Sequence, residues 1–180
     1  MHARSYRNNH APNQLAATLP SRASVDPVGP LADACAIEHI GSTAVPGLAA
    51  KPIIDIMLGL PALNNIAPYI PALKSAGFHL QPQMAAAMPD RHDFAKPAAH
   101  PRAVHLHAVA LDSGFWRDKL AFRDALRADG HLAEQYADLK RQLAQNHSDD
   151  RAAYTDAKSA FIAAVLAAAA GKPHDKPLSR

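Results

Sequence analysis

The stretch from Glu38 to Asp55, EHIGSTAVPGLAAKPIID, concentrates residues that could do chemistry. A short β-branched run delivers Gly41 and Ser42 into a tight turn. Glycine lets a backbone approach a ligand closely and exposes its N–H groups, and a serine hydroxyl beside them can donate to a phosphate oxygen. A second apolar run then carries Asp55, whose carboxylate could hold a divalent metal bridging that phosphate. The stretch is not a Walker A loop, because the Gly-Lys-Ser/Thr ending is missing, and it lacks the GxGxxG spacing of a dinucleotide fingerprint. On these residues alone, a plain strand-to-helix connection with Ser42 as a cap remains an equal alternative.

Two further sets of side chains invite a role. In AVHLHAVAL, His105 and His107 share one side of an alternating strand, opposite Val104 and Leu106. With Asp55 and His39 on adjoining strands they could form a cluster of imidazoles around a carboxylate. The alternatives are acid–base groups or phosphate donors, or a hydrogen-bonded pair under the C-terminal helices. The basic residues are Lys51 at the end of the Gly-Ser loop, Arg91 in RHDFAK, Arg123, Lys140 and Lys158. Lys140 and Lys158 each follow a tyrosine by four residues, Tyr136 and Tyr154, which puts each pair on one helical face. Either lysine could reach a phosphate or simply lie along its ring. Asp124 beside Arg123 reads as a local ion pair, Trp116 as a packing anchor and Cys35 as a small buried residue.

HIGSTAVPGLAAKPIIDI closely resembles the signature of the GrpB (UPF0157) family, and the likeness continues through RHDFAK, HLH, LAFRDALRAD, EQYADLKRQLA and YTDAKSAFI. It covers roughly residues 36 to 167; the opening 35 residues lack the usual Tyr-Asp-Pro and Trp start. The resemblance implies a nucleotidyltransferase-like (polymerase-β-like) fold and, with it, metal-dependent nucleotidyl or phosphoryl transfer. It implies that Gly41 and Ser42 face a triphosphate and that Asp55 is a metal ligand. Related domains sit fused to dephospho-CoA kinase, which extends the ligand class to CoA-like molecules. One departure matters. The superfamily usually pairs two acids one residue apart and adds a third on a neighbouring strand, but Asp55 is followed by Ile56 and Met57. The neighbouring strand offers His105 and His107, which suit Mn²⁺, Fe²⁺, Ni²⁺ or Zn²⁺ better than Mg²⁺. The site is either rebuilt with Asp55, His105 and His107 as catalytic groups and, with His39, as metal ligands, or reduced to a pocket for a nucleotide or CoA-like anion. A His-based metal-dependent hydrolase is the third reading.

These side chains need elements to hold them. AIEHI, IIDIMLGL, GFHLQ, RHDFAK and AVHLHAVAL read as strands of a mixed or mostly antiparallel sheet of four or five. A stretch from Pro61 to Ala76 reads as a helix kinked by Pro68 and Pro71. After Ser113, a plausible N-cap, the period changes to that of three helices, the first stopping at Gly130 and the third opening with Asp149 and Asp150. The fold expected is therefore α+β, with the C-terminal helices packed on the sheet as one wall of the site. Residues 1–30 read as an irregular segment, 31–170 as a single domain and 171–180 as a flexible tail. The 180 residues carry a formal net charge of +3, which suits a small anionic ligand but is too weak and unclustered for nucleic acid. The single cysteine excludes an internal disulfide and a thiolate zinc site. No long apolar run argues for a membrane span and the N-terminus lacks a secretory pattern, so a soluble, cytoplasmic protein is expected.

Overall fold

The computed structural model describes residues 36–84, 88–97, 103–146 and 151–171. The irregular N-terminal segment, Cys35, the Asp149–Asp150 helix start, the Tyr154 side chain and the tail beyond Gly171 lie outside the described residues. Five strands form one mixed sheet in the order β1-β2-β5-β4-β3. They are β1 (Ala36–Ile40), β2 (Ile54–Leu60), β3 (His79–Leu80), β4 (Arg91–Lys96) and β5 (Val104–Ala110). Only β2 and β5 run parallel; every other pairing is antiparallel. The α+β expectation and the five-stranded mixed sheet are what the chain adopts.

The alternation of β2, β4 and β5 sorts their side chains cleanly. Ile56, Leu58, Leu60, Phe94, Leu106 and Ala108 point to one face. There they pack against Tyr69, Leu73 and Phe78. Tyr69 and Leu73 come from the proline-rich stretch, which is not one kinked helix. It breaks into two 3₁₀ turns (Leu63–Asn65 and Ala67–Tyr69) and the short α1 (Ile70–Ser75), because prolines at successive turns remove helical hydrogen bonds. The opposite face is covered by α2 (Gly114–Ala128), which leaves β5 after only three residues. Ser113 caps it, its hydroxyl accepting from the Trp116 amide at 3.2 Å. Trp116 then packs with Ile40, Met57 and Val109. Gly59 admits this approach, since a Cβ there would stand 2.9 Å from the Trp116 ring.

α3 (Gly130–Asn146) and α4 (Arg151–Ala170) stack onto α2. Tyr136 of α3 meets Phe122 edge-on at 5.1 Å and stacks on Phe161 of α4 at 5.4 Å. Val45, on the loop after the Gly-Ser turn, joins the same cluster. The helical third therefore closes over the sheet as the sequence implied. The break between α2 and α3 differs in detail: the chain turns at extended Asp129, and Gly130 begins α3 rather than ending α2.

Candidate functional site

Register fixes which side chains share the face beneath α2. Asp55 lies opposite His105 and Met57 opposite His107 across β2 and β5, and Asp93 of β4 faces His107 from the other side. The Asp55 Oδ1 atom is 3.4 Å from His105 Nδ1 and 3.8 Å from His107 Nε2. His107 Nδ1 bonds Asp93 at 2.5 Å, and Asp93 also receives Arg91 Nε at 3.1 Å. Burial works against a charge on His107, but its bonds to Asp55 and Asp93 and the Asp93 charge prevail and hold its pKa above the ordinary value. Asp93 is likewise opposed by burial yet held below the usual carboxylate range by the His107 bond and the charges of His107 and Arg91. The three groups form a carboxylate–imidazole–carboxylate chain.

The Gly-Ser turn lies directly on this chain. Gly41 has φ +73°, and a Cβ there would stand 2.5 Å from Asp55 Oδ2, so only glycine fits between the turn and the carboxylate. Five hydrogen bonds fasten the turn and the loop after it. Thr43 donates its hydroxyl to the Ile53 carbonyl at 3.1 Å, so its oxygen accepts from His39 Nε2 at 3.0 Å. Arg127 Nε donates to the Ala44 carbonyl at 2.9 Å. Lys140 Nζ donates to Ser42 Oγ at 3.1 Å and to the Ala49 carbonyl at 2.7 Å. Burial, then the charges of Lys158 and Arg141, push the Lys140 pKa down to about 8.

The residues singled out in the sequence divide accordingly. Asp55, His105, His107, Arg91, Gly41, Ser42 and Lys140 come together on this face. Lys158 of α4 makes no described bond, but its charge is felt by both Lys140 and Lys119. Lys51 stands exposed, and no described contact ties it to Ser42 or Asp55. His39 pairs in register with Ile56, so it sits on the face opposite Asp55 and serves the turn through Thr43. Burial, first, and then the Arg127 charge lower its pKa, against the pull of Asp55. Arg123 is buried and committed elsewhere. It donates to Glu38 at 2.6 Å, to the His39 carbonyl at 3.0 Å and to Asp124 at 2.7 Å. It is a structural clamp between α2 and β1, not a free phosphate ligand, and Asp124 is its ion-pair partner.

The sequence reading passed over Arg127 and Lys119. The signal was present: Phe115, Lys119, Arg123 and Arg127 recur every four residues and form one stripe of α2. A groove of about 840 Å³ runs behind the turn between Val45, Leu48, Leu126 and Ala137. Ser42 is not part of its lining.

The family profile described as GrpB protein matches residues 11–168. The chain belongs to the GrpB family. Similar relatives include a UPF0157 protein of Streptomyces coelicolor, 38% identical over 129 residues, which cover 72% of this chain and 66% of that one. The glutamate-rich protein GrpB of Alkalihalophilus pseudofirmus is 32% identical over 138 residues, covering 72% of this chain and 76% of its own. Coverage of the relatives varies widely: the match spans about two thirds of the Streptomyces protein but only 36% of a Bacillus subtilis one. The crystal structure of a conserved GrpB protein from Enterococcus faecalis superposes with a TM-score of 0.62 at 33% identity, over 76% of this chain and 80% of that one. In this GrpB chain no described helix is long and apolar enough to cross a membrane.

Proposed function

We propose that the chain binds a nucleotide, or a related polyphosphate such as a CoA-type ligand, over the Gly41–Ser42 turn and uses it in nucleotidyl or phosphoryl transfer. The observation that carries the reading is the Gly41 contact. A turn pressed onto Asp55 with no room for a Cβ puts Ser42 and its lysine beside the one carboxylate of the site that no arginine neutralises. Lysines with no carboxylate partner above a glycine turn favour a chain of phosphates.

The donor set does not fit two Mg²⁺ ions. The place of the second acid is taken by Met57, fully buried among Ile40, Val109 and Trp116. Glu38 and Asp124 are held by Arg123, and Asp93 by His107 and Arg91. Among the described residues no three His, Cys, Asp or Glu side chains close on a point where a metal would sit. The chain's own groups carry the reading instead. Lys140 and the Ser42 hydroxyl hold the leaving phosphates. His107, pinned through Nδ1 by Asp93, turns its Nε2 toward Asp55 and orients that carboxylate. Asp55 with His105 is placed to take the proton of an attacking hydroxyl. The acceptor oxygen then bonds to phosphorus as the bond to the leaving phosphate oxygen breaks, and charge passes to the group held by Lys140.

A thermal-shift screen with nucleotides and CoA species, each with and without Mg²⁺ and Mn²⁺, tests the reading. A ligand-dependent rise in melting temperature supports it, and the metal arms show whether a divalent ion contributes. No shift with any nucleotide or CoA species in either metal overturns it. Binding without turnover would leave the alternative, a ligand-binding module whose acidic site has been reduced to Asp55.

A further inference from the structure

The cations of this face divide into two places. Lys140 sits over Ser42. On the side of Asp93 and His107, Lys119 lies 5.1 Å from the Phe115 ring centre and the Arg91 guanidinium 4.9 Å from the same ring. Phe115 in turn stands 6.3 Å from the His107 ring. One aromatic ring thus holds two cations at the rim of the Asp55–His107 cluster.

Lys119 and Lys158 make no ion pair with a carboxylate among the described residues, whereas Arg91 is paired with Asp93. Burial, first, and then the charges of Lys158 and Arg91 disfavour the Lys119 ammonium and outweigh the pull of Asp55 and Asp118. A partly buried cation that makes no direct ion pair is costly unless something anionic joins it. Lys140 is bonded to Ser42 and Ala49, whereas Lys119 is seated on Phe115 next to Arg91, so the two lysines serve different parts of the site. A single phosphate at Ser42 leaves the Lys119 end unanswered.

We propose that Lys119, seated on Phe115 beside Arg91, forms a second anion subsite, and that it takes the phosphate group of a phosphorylated acceptor while the polyphosphate donor occupies Ser42 and Lys140. The assignment of donor and acceptor rests on the function proposed above; the subsite itself does not. An ammonium and a guanidinium seated on one ring, Lys119 and Arg91, match a phosphomonoester dianion better than a carboxylate.

The test is calorimetric and uses inorganic phosphate as probe. Phosphate is titrated into the full chain, free and saturated with ATP, for the wild type, Lys119→Met and Lys119→Arg; melting curves verify that each variant is folded. Phosphate binds the ATP-saturated wild type. Lys119→Met, which keeps the contact with Phe115, weakens that binding about tenfold or more, as expected for one charged hydrogen bond. ATP affinity changes less than about threefold, below 1 kcal/mol by the same arithmetic, and Lys119→Arg restores phosphate binding. Failure of phosphate to bind the ATP-saturated protein overturns the subsite while leaving the ATP site standing. Loss of ATP and phosphate affinity together in Lys119→Met also overturns it, because there is then one site. If ATP itself does not bind, the function proposed above fails, and phosphate binding to the free protein decides the subsite through the same variants. Acetate competing as well as phosphate would remove the assignment to a phosphate group.

Discussion

Gly41 and Lys140 are the residues on which the site turns. Replacing Gly41 by Ala asks a side chain to occupy φ +73° and to displace the Asp55 carboxylate. Strain of this kind costs about 1–3 kcal/mol. Gly41→Ala should therefore melt earlier and also lose nucleotide affinity; a variant with an unchanged melting temperature and unchanged affinity would show the turn to be remote from the site. Lys140 supplies a pH signature. Its pKa is lowered to about 8, so the folded protein releases this proton more readily than the unfolded chain does. Where the unfolded chain binds more protons, stability rises with pH. The ligand-free protein should thus gain stability from about pH 8 toward the ordinary lysine value near 10.4. Polyphosphate affinity should fall over the same interval, since the ammonium is its partner. Lys140→Arg, charged throughout, should flatten both profiles, and a wild-type affinity flat across that interval would remove Lys140 from the site. The glycine, the serine and the lysine were each legible from residue type and spacing. The contact between Ser42 and Lys140 was not, because it joins side chains 98 positions apart.

Among the elements, α2 does most to assemble the site. Its stripe of Phe115, Lys119, Arg123 and Arg127 reaches in turn the rim of the cluster, β1 and the Gly-Ser turn. Arg123 is the structural member. Its guanidinium is buried with four donated hydrogen bonds, to Glu38, His39 and Asp124. Breaking a buried ion pair costs about 3–5 kcal/mol; with Asp124 more than half exposed, the lower end applies to Arg123→Met. Urea denaturation should show that loss, with no specific effect on ligand affinity in the fraction that folds. A fully stable Arg123→Met that fails to bind phosphate would restore the phosphate role expected from the sequence. The strands were legible because alternation in β2, β4 and β5 is strict, and the same alternation placed His105 and His107 with Asp55. His39 was misplaced for a comparable reason. Adjacency of strands says nothing about face, and register sets His39 opposite Ile56. The proline-rich stretch before β3 resisted reading because Pro68 and Pro71 cut a helical pattern into pieces whose lengths only tertiary packing decides.

At the scale of the whole molecule, each of the three C-terminal helices carries one lysine of a mutually repelling set: Lys119 from α2, Lys140 from α3 and Lys158 from α4, whose charge opposes that of the other two. The sheet beneath answers with Asp55, Asp93 and two imidazoles. Lys158 is the shared member, so Lys158→Ala should weaken polyphosphate binding by about 1–3 kcal/mol, the range for a charged hydrogen bond, with little change in melting temperature. A variant that melts early but binds normally would make Lys158 structural. The family and the α+β fold were legible from ordered motifs, but the committed state of Arg123 and the isolation of Asp55 from other acids emerge only when the helices close on the sheet. The central claim is that a polyphosphate sits over the Gly41–Ser42 turn under Lys140. Calorimetric titration of ATP into the wild type and Lys140→Met, at neutral pH with and without Mg²⁺, tests it most directly. ATP should bind the wild type and lose at least about tenfold in affinity for Lys140→Met, the equivalent of one charged hydrogen bond. Equal affinity in the two proteins, or no binding to either, would contradict it.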